Sequence, residues 1–266
     1  MQRKLSSIKP IVIKIGGSTL GAHDTTLDDL VSLQKKGIIP IVVHGGGNKI
    51  TEWLKKMGVS TNFLRGMRVT DAATLEVVIA VLAGLVNKEL VAAITSKGGK
   101  AIGLSGVDGG LIQAKIENPE LGYVGQVVKV NPEPVKAVLS TGYIPVIAPA
   151  GLKVAGKDAD PIKLLNINGD VVASEVAGML KAQRLIFLTD VPGVRDGKGK
   201  FLRRLSAAEA KDMIGSGVIE GGMIPKVEAC LNALSRVAST QIVNGRRAGA
   251  LLSAIEDKNI GTIIEP

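Results

Sequence analysis

Two glycine clusters near the start of the chain carry its most informative chemistry, because each follows a run of branched apolar residues. The first run leads into residues 14–17 (Lys-Ile-Gly-Gly) and the second into residues 44–47 (His-Gly-Gly-Gly). Glycines leave backbone N–H groups uncovered, and a helix that begins directly behind them adds positive potential, so such places bind phosphate or carboxylate. Two of them, with Lys14 at the first, indicate a site that holds two anions at once. The pattern favours phosphoryl transfer onto an anionic acceptor.

Three charged residues stand where they could stabilise a phosphoryl group. Lys14 lies inside the first apolar run, where it either reaches solvent at the strand end or faces an anion, since a buried unpaired ammonium is costly. Lys226 follows two glycines at the start of a helical pattern. Asp170 begins another helical pattern, where it either caps the helix or holds both lysines in position.

Arg68 and a pair of asparagines are further polar candidates. Arg68 precedes a helix that Thr70 or Asp71 can cap, and its guanidinium either binds a carboxylate through two hydrogen bonds or lies on the surface. Asn166 and Asn168 alternate along one side of the chain before the helix of Asp170. Spacing alone leaves both alternatives open for Arg68.

His44 and Cys230 are more readily explained as structural residues. A carboxylate acceptor is already anionic, so forming an acyl phosphate needs no general base, and we interpret His44 as a hydrogen-bonded histidine at a strand end. Cys230 lies in the helical run 227–237, where a small core residue fits better than a nucleophile.

Common nucleotide and metal motifs are absent from the sequence. No G-x-G-x-x-G occurs, which disfavours a dinucleotide dehydrogenase. Residues 151–158 approach a Walker sequence but end in Asp158, where a hydroxyl should meet Mg²⁺, so we predict a turn there. Neither H-E-x-x-H nor a pair of cysteines is present, which argues against zinc.

The composition limits the class of protein. The chain has 266 residues, 45% of them hydrophobic, enough to bury a large core. Aromatic residues make up only 2%, which argues against single-strand nucleic-acid binding by stacking, and the net charge of +9 suits a field that attracts anionic substrates. One cysteine fits a reducing compartment, and no apolar run approaches the ~18 residues that span a bilayer. The N-terminus is too poor in apolar residues for a signal peptide, so we expect a soluble, cytoplasmic protein with no membrane or nucleic-acid partner.

Apolar runs alternate with helical patterns over most of the chain, which predicts a mainly parallel α/β sheet covered on both faces. We predict strands at residues 11–15, 38–43, 101–104, 144–147, 184–188, 241–243 and 262–264. We predict helices at residues 26–36, 48–57, 72–97, 133–141, 170–180, 207–214 and 223–239. Residues 111–130 and 152–168 have hairpin patterns, the second with a turn at 156–158. We expect one fold (1–266) with two lobes, an acceptor lobe to about residue 166 and a nucleotide lobe from about residue 167.

These motifs, in this order, resemble those of the amino-acid kinase family from residue 14 to about residue 262. The matching motifs are K-x-G-G at 14–17, V-H-G-G-G at 43–47, G-x-R-V-T-D at 66–71, L-V-N-K at 85–88, L-G-Y-V-G at 121–125, N-x-N-x-D at 166–170, L-T-D-V-P-G-V at 188–194 and G-G-M-x-x-K at 221–226. The resemblance implies a three-layer αβα sandwich of the carbamate-kinase-like type. It is strongest to the branch that uses ATP to phosphorylate the side-chain carboxylate of N-acetyl-L-glutamate, an early step of arginine biosynthesis.

The resemblance also implies roles for the motif residues. Lys14 and Lys226 would stabilise the transferring phosphoryl group, and Asp170 would orient them. The acceptor would be held by Gly46, Gly47, Arg68 and Asn166. Phosphoryl oxygens would be bound at Gly16, Gly17 and Gly46. The nucleotide would be bound by Asp190, Val191, Pro192, Gly193, Val194, Arg195, Val218, Ile219 and Glu220. Mg²⁺ would be carried by the ATP phosphates and water, with no metal ligand from the protein.

Departures from the family pattern concern regulation more than chemistry. Asn48 replaces a common proline and Gly169 a frequent alanine, and neither change removes a functional group. Arginine-inhibited relatives have an extra N-terminal helix and a histidine–glutamate pair near the C-terminus. Here about ten residues precede the first predicted strand, and residues 249–254 have glycine and alanine at the positions of that pair. We therefore expect a homodimer without arginine feedback.

Three other functions fit parts of the pattern. A kinase for N-acylated or carrier-bound 2-aminoadipate in lysine biosynthesis would suit the basic charge if its carrier is acidic, but the motif around Arg68 has the form typical of the glutamate branch. A non-catalytic amino-acid sensor on the same fold would not need Lys14, Asp170 and Lys226. A basic nucleic-acid binder is a more distant alternative.

Overall fold

Strands and helices alternate along the chain much as the sequence pattern predicts. The computed structural model describes residues 10–17, 25–64, 66–154 and 161–266. Its strands are β1 (Ile11–Ile15), β2 (Ile41–His44), β3 (Phe63–Leu64), β4 (Met67–Arg68), β5 (Ala101–Ser105), β6 (Ile112–Ile116), β7 (Gly125–Val130), β8 (Ile144–Ala148), β9 (Ala150–Lys153), β10 (Leu164–Asn166), β11 (Arg184–Thr189), β12 (Arg204–Ser206), β13 (Ser239–Asn244) and β14 (Thr262–Glu265). Its α-helices are α1 (Thr26–Lys35), α2 (Gly47–Lys56), α3 (Ala72–Ile79), α4 (Asn87–Ser96), α5 (Glu133–Ser140), α6 (Gly169–Met179), α7 (Ala207–Gly215), α8 (Ile224–Leu234) and α9 (Ala250–Ile255). The turn predicted at 156–158 lies outside the described residues.

The central sheet has eight strands in the order β12-β14-β13-β11-β1-β2-β8-β5. Its neighbours pair in parallel, except that β13 and β14 are antiparallel. Val12 and Phe187 belong to a core shared with α6 and α8, whereas Ile13 and Ile186 belong to a second core with α1, α4 and α9. Because adjacent strand residues enter different cores, the sheet is covered on both faces, and the predicted three-layer α/β fold is confirmed.

A smaller sheet stands at the carboxyl end of β8. Its strand order is β10-β9-β6-β7, and β9 begins at Ala150, directly after the end of β8. β6 and β7 pair antiparallel, as do β9 and β10, so both hairpin predictions are confirmed in the described residues. A short hairpin of β3 and β4 lies between α2 and α3. These hairpins and the carboxyl ends of the central strands are the elements that position the site.

The stretch Ala72–Ser96 departs from the sequence prediction in two ways. It is not one regular helix, because the π-helical segment Ala80–Val86 separates α3 from α4. Within the described part of the chain it is also long and apolar enough, by length and composition, to cross a membrane. The expectation that no apolar run is long enough to span a bilayer is therefore wrong, because it counted only uninterrupted runs of apolar residues. Leu90 and Ile94 pack in the core beneath the sheet, and a single helix of this kind is weak evidence, so the finding assigns no membrane contact.

Candidate active site

Parallel pairing of β1 and β2 brings the two glycine clusters together. Ile15 pairs with His44, so both strands end at the same edge of the sheet. Gly17 and Gly46 then approach so closely that a Cβ on Gly17 would lie 3.3 Å from the backbone nitrogen of Gly46. A contact of this kind leaves little room for a side chain. The two clusters therefore form one backbone surface, called the glycine surface below (Gly16, Gly17, Gly45, Gly46 and Gly47).

The amides of the glycine surface differ in what they can bind. The N–H of Gly16 donates to the Leu188 carbonyl at 3.1 Å, and the N–H of Gly45 donates to the Ile15 carbonyl at 2.9 Å. The N–H of Gly46 donates to no acceptor among the described residues. Gly16 thus uses its amide in the sheet, whereas Gly46 keeps a donor for an anion.

Two lysines far apart in the sequence converge on Asp170. Lys14 Nζ lies 2.6 Å from Asp170 Oδ1, and Lys226 Nζ lies 3.5 Å from Asp170 Oδ2. Asn168 positions the carboxylate, because its side chain accepts the N–H of Asp170 at 2.8 Å and caps α6. The side chain of Lys226 is 25% exposed, compared with 10% for Lys14 and 7% for Asp170. The site therefore opens to solvent on the side of Lys226.

The two ammonium groups decide the charge of Asp170. Burial is the largest influence on this carboxyl group and by itself would raise its pKa. The positive charges of Lys14 and then Lys226 outweigh burial and hold the pKa of Asp170 below its ordinary value. The carboxylate is thus ionised at neutral pH and shared between the lysines, so the site combines two cations with one anion.

A cavity of about 210 Å³ adjoins the glycine surface. It is lined by Gly45, Gly46, Gly47, Ile50, Phe63, Gly66, Met67, Arg68, Leu82, Val124, Pro149, Asn166, Ile167, Asn168 and Gly169. Most of the wall is apolar, and Arg68 is the only cationic side chain in it among the described residues. A small acid with an apolar portion fits this lining.

Arg68 is held rigidly at the cavity. Its Nη2 donates to the Gly47 carbonyl at 3.1 Å and to Thr51 Oγ1 at 2.8 Å, and its Nη1 donates to Thr61 Oγ1. The guanidinium also lies 4.7 Å from the ring centre of Phe63. These contacts fix the direction of the positive charge before a ligand arrives.

Asn166 is also fixed by a neighbour, because its Nδ2 donates to Thr70 Oγ1 at 3.1 Å. The sequence did not indicate that Thr51, Thr61 or Thr70 contribute to the site. Thr51 lies one helical turn after Gly47, and this spacing is the only sequence signal that could have linked it to the glycine surface.

A second and larger cavity, of about 1080 Å³, shares Gly66, Met67 and Asn168 with the first. It extends between β7 and the outer sides of α6 and α8, and it includes Gly221 and Gly222 just before the helix of Lys226. The two cavities together lead from Arg68 to the start of α8.

The predicted nucleotide residues form two neighbouring loops. Val218, in the loop before α8, lies close to Gly197, in the loop after β11. Val218 Cγ2 is 3.8 Å from the position that a Cβ on Gly197 would occupy, so the two loops are neighbours. Asp190, Val191, Val218 and Glu220 are exposed. Val194 and Ile219 are instead buried in the core, so only their backbones are available to a ligand. None of the predicted residues 190–195 and 218–220 lines either of the two cavities described above.

Cys230 is fully buried, and burial raises the pKa of its thiol to about 12. A thiol in this state is not a nucleophile at neutral pH. Its environment agrees with the interpretation of a core residue.

Comparison with known proteins decides the family. Residues 9–244 match the sequence model of the amino acid kinase family. The chain belongs to the amino acid kinase family. A protein from Dehalococcoides mccartyi (strain ATCC BAA-2100) named acetylglutamate kinase is 44% identical over 264 residues, which cover 99% of this chain and 97% of that protein.

Solved structures of similar chains confirm the fold of this family member. The crystal structure of smu.665 from Streptococcus mutans UA159 aligns with a TM-score of 0.81 at 29% identity, covering 96% of this chain and 98% of that one. Carbamate kinase from Giardia lamblia bound to AMP-PNP aligns with a TM-score of 0.71 over 98% of this chain and 99% of that chain. At 14% identity, the second similarity bears on the fold alone.

Proposed function

We propose that this chain uses ATP to phosphorylate the side-chain carboxylate of N-acetyl-L-glutamate, giving N-acetyl-L-glutamyl 5-phosphate in arginine biosynthesis. The observation that carries the proposal is the convergence of Lys14 and Lys226 on Asp170, beside a cavity lined by Arg68 and Asn166. The name of the Dehalococcoides relative, acetylglutamate kinase, supports the choice of acceptor.

The chemistry joins two anions, so its barrier falls when positive charge and N–H donors are already in place. A carboxylate oxygen of the acceptor attacks the γ-phosphorus of ATP, the bond from that phosphorus to the ADP oxygen breaks, and no proton has to move. We assign Lys14 and Lys226 to stabilising the transferring phosphoryl group and Asp170 to orienting both lysines. Gly17 and Gly46 donate backbone N–H groups to its oxygens.

The acceptor is proposed to bind in the 210 Å³ cavity. Arg68 and Asn166 would hold its α-carboxylate, and Gly46 and Gly47 would contact its reacting end. The contacts that fix Arg68 support this assignment, because a guanidinium held before binding loses little freedom when the ligand arrives.

ATP is proposed to bind the lobe from about residue 167, at residues 190–195 and 218–220. Among the described residues, no group of three or more His, Cys, Asp or Glu side chains could hold a metal ion, and Asp170 is engaged by both lysines. Mg²⁺ is proposed to be carried by the ATP phosphates and water, and Asp170, which both lysines engage, is not proposed as its ligand. When bound, Mg²⁺ would neutralise phosphate charge.

The experiment that tests the function is acyl-phosphate formation, trapped as a hydroxamate with hydroxylamine. N-acetyl-L-glutamate and N-acetyl-2-aminoadipate are compared with the same preparation. We expect a kcat/KM for the glutamate compound at least about tenfold higher. A higher kcat/KM for the aminoadipate compound would place the chain in lysine biosynthesis instead, and no hydroxamate with either acceptor would favour a non-catalytic sensor.

We also propose that the protein is a cytoplasmic homodimer. An uncovered apolar face supports the dimer. In the stretch Ala72–Ser96, only 39% of an 18-residue apolar window is buried. This stretch lies next to β5, the edge strand of the central sheet, on which Ile102 is exposed. A Cβ on Gly84 in this stretch would meet nothing within 4 Å, and the same holds for Gly215 in α7. In sedimentation we expect a wild-type dimer, a Gly84→Arg monomer and a dimer for the control Gly215→Arg. A monomeric wild type would refute the proposal.

A further inference from the structure

The π-helical segment brings two side chains to the glycine surface. In the stretch Ala72–Ser96, buried positions usually follow one another in steps of three or four residues, as from Val78 to Leu82 and from Asn87 through Leu90 to Ile94. The step from Leu82 to Asn87 is five residues instead. A step of five residues matches the i→i+5 hydrogen-bond spacing of a π-helix. This step lets both Leu82 and Asn87 lie on the buried side of the stretch.

Both residues contact the second glycine cluster or its histidine. Leu82 Cδ2 lies 2.7 Å from where a Cβ on Gly46 would stand, so it packs directly on that glycine. Asn87 is fully buried, and its Nδ2 lies 3.2 Å from His44 Nε2. The π-helical turn therefore supports both the glycine and the histidine that precedes the cluster.

The partners of Asn87 determine how its amide is oriented. Nδ2 lies 2.9 Å from the Val146 carbonyl and 3.2 Å from the Leu104 carbonyl, both acceptors. Oδ1 accepts from Lys88 Nζ at 3.1 Å. The group facing His44 is therefore the NH₂ group, whose two hydrogens are shared among three acceptors, and His44 Nε2 is the accepting ring nitrogen.

The other ring nitrogen of His44 must then carry the proton. Nδ1 lies 2.8 Å from the Gly45 carbonyl oxygen and donates to it. This carbonyl belongs to the same planar peptide unit as the N–H of Gly46. Holding the carbonyl therefore fixes the direction of the Gly46 N–H, a donor that has no acceptor among the described residues.

Charges around the ring keep it neutral. Burial lowers the pKa of His44 to about 4, and the positive charges of Lys14 on β1 and Lys88 on α4 act in the same direction. The hydrogen bond to Gly45 acts in the opposite direction but is weaker than burial. His44 thus keeps one proton on Nδ1 over the physiological range.

We propose that Asn87 is a positioning residue for phosphoryl transfer, which acts through His44 and the Gly45 carbonyl to aim the N–H of Gly46 at the transferring group. The proposal rests on the function proposed above. It assigns a task to two buried polar residues that do not themselves touch the reacting atoms.

The first test replaces Asn87 by an isosteric group that cannot donate. In Asn87→Asp, a carboxylate oxygen faces His44 Nε2 and favours a proton on that nitrogen. A ring that stays neutral then turns the Nδ1 lone pair to the Gly45 oxygen and releases the peptide, and the NMR measurement below shows whether the ring stays neutral. We expect kcat to fall about tenfold with the KM for ATP within about twofold of wild type. The matched control is Gln34→Glu, because Gln34 also bonds to two carbonyls, those of Lys100 and Gly142, away from the site. A kcat within twofold of wild type in a folded Asn87→Asp, or an equal loss in Gln34→Glu, would overturn the proposal.

A second variant covers the case in which Asn87→Asp does not fold. His44→Leu leaves the bonds of Asn87 to the strand carbonyls in place and removes both the donor to Gly45 and the ring nitrogen that faces Asn87. We expect the same loss of about tenfold in kcat, and an unchanged kcat would overturn the proposal.

A measurement independent of activity uses the fact that the chain has only two histidines, His23 and His44. Nitrogen-15 NMR of the imidazoles, assigned with His23→Gln, reports the tautomer of each ring. We expect His44 to be neutral with its proton on Nδ1 from pH 5 to pH 8, and a proton on Nε2 or a titration near pH 6.5 would overturn the proposal. If the wild-type chain makes no acyl phosphate, the proposed function fails, and the NMR result still tests the hydrogen-bond network.

Discussion

Lys14 and Asp170 form an ion pair of 2.6 Å in which both side chains are almost completely buried. Removing one partner of such a pair leaves an uncompensated charge in a poorly hydrated place. The pair is therefore both a structural element of the fold and, with Lys226 at 3.5 Å, the centre of the proposed chemistry. These two roles can be separated experimentally.

Replacing either lysine should reduce turnover, and replacing Lys14 should also reduce stability. For Lys14→Ala and Lys226→Ala we expect kcat to fall at least about a hundredfold, because each removes a preorganised charge from the transferring group. Lys14→Ala should also lower the free energy of unfolding by about 3 kcal/mol. Hydroxamate formation and urea unfolding measure the two effects.

The control for the lysine variants is Lys97→Ala, since Lys97 forms an exposed ion pair of 2.8 Å with Asp28 outside the site. It should retain wild-type kcat and lose less than about 1 kcal/mol of stability. Full activity in Lys226→Ala would contradict the role assigned to this residue.

The ionised state of Asp170 should appear in the pH dependence of stability. Its folded-state pKa is lowered, so it stabilises the fold above the unfolded pKa of about 3.9, and that contribution is lost as pH falls through the folded value. The difference in unfolding free energy between wild type and Asp170→Asn should therefore be constant from pH 7 to pH 5 and shrink below about pH 4. Asp212→Asn, at an exposed helix position, is the control. A difference that already shrinks between pH 7 and pH 5 would mean a raised pKa.

The convergence of Lys14, Asp170 and Lys226 could be predicted from the sequence because each stands at the boundary of an element. Lys14 lies near the end of an apolar strand, whereas Asp170 and Lys226 lie in the first turns of α6 and α8. Parallel strands end at one edge of a sheet and the following helices begin there, so residues at these boundaries meet. The resemblance to a family then indicated which of them act together.

Other features depend on contacts that no local pattern records. The strand β12 (Arg204–Ser206) has three residues and is defined by its pairing with β14. The π-helical turn was hidden because residues 80–86 are apolar or small throughout, so one extra residue does not disturb the hydrophobic period. Asn87 belongs to the L-V-N-K motif of the family resemblance, but its role could not be predicted, since its partners His44 and Val146 come from distant strands.

Gly46 should be required because Leu82 packs on it. A Cβ on Gly46 would lie 2.7 Å from Leu82 Cδ2, so Gly46→Ala has to displace the leucine or the glycine surface. We expect kcat to fall at least about tenfold, and the double variant Gly46→Ala/Leu82→Ala should recover part of the loss. Gly215→Ala, at an open glycine, should behave as wild type. If the double variant is no better than Gly46→Ala alone, the packing explanation is wrong.

Arginine should not inhibit the enzyme. Arginine-inhibited relatives have a histidine–glutamate pair near the C-terminus. At the corresponding positions, within residues 249–254, this chain has glycine and alanine. Gly249 is the N-cap of α9, and its φ of 67° lies in the left-handed region that favours glycine. An inhibition curve with millimolar arginine should leave the rate unchanged, and strong inhibition or a hexamer in sedimentation would refute this expectation.

Arg68 should determine how tightly the acceptor binds rather than how fast it reacts. Its guanidinium is fixed by the Gly47 carbonyl and by Thr51, and a lysine ammonium cannot reproduce this planar set of contacts. In Arg68→Lys we expect the KM for N-acetyl-L-glutamate to rise at least about tenfold while the KM for ATP stays unchanged, and Thr51→Val should give a smaller rise. Arg204→Lys, at an exposed arginine paired with Glu265, is the matched control. A fall in kcat with an unchanged acceptor KM would instead place Arg68 among the groups that act on the phosphoryl group, because only an interaction made in the transition state changes kcat alone.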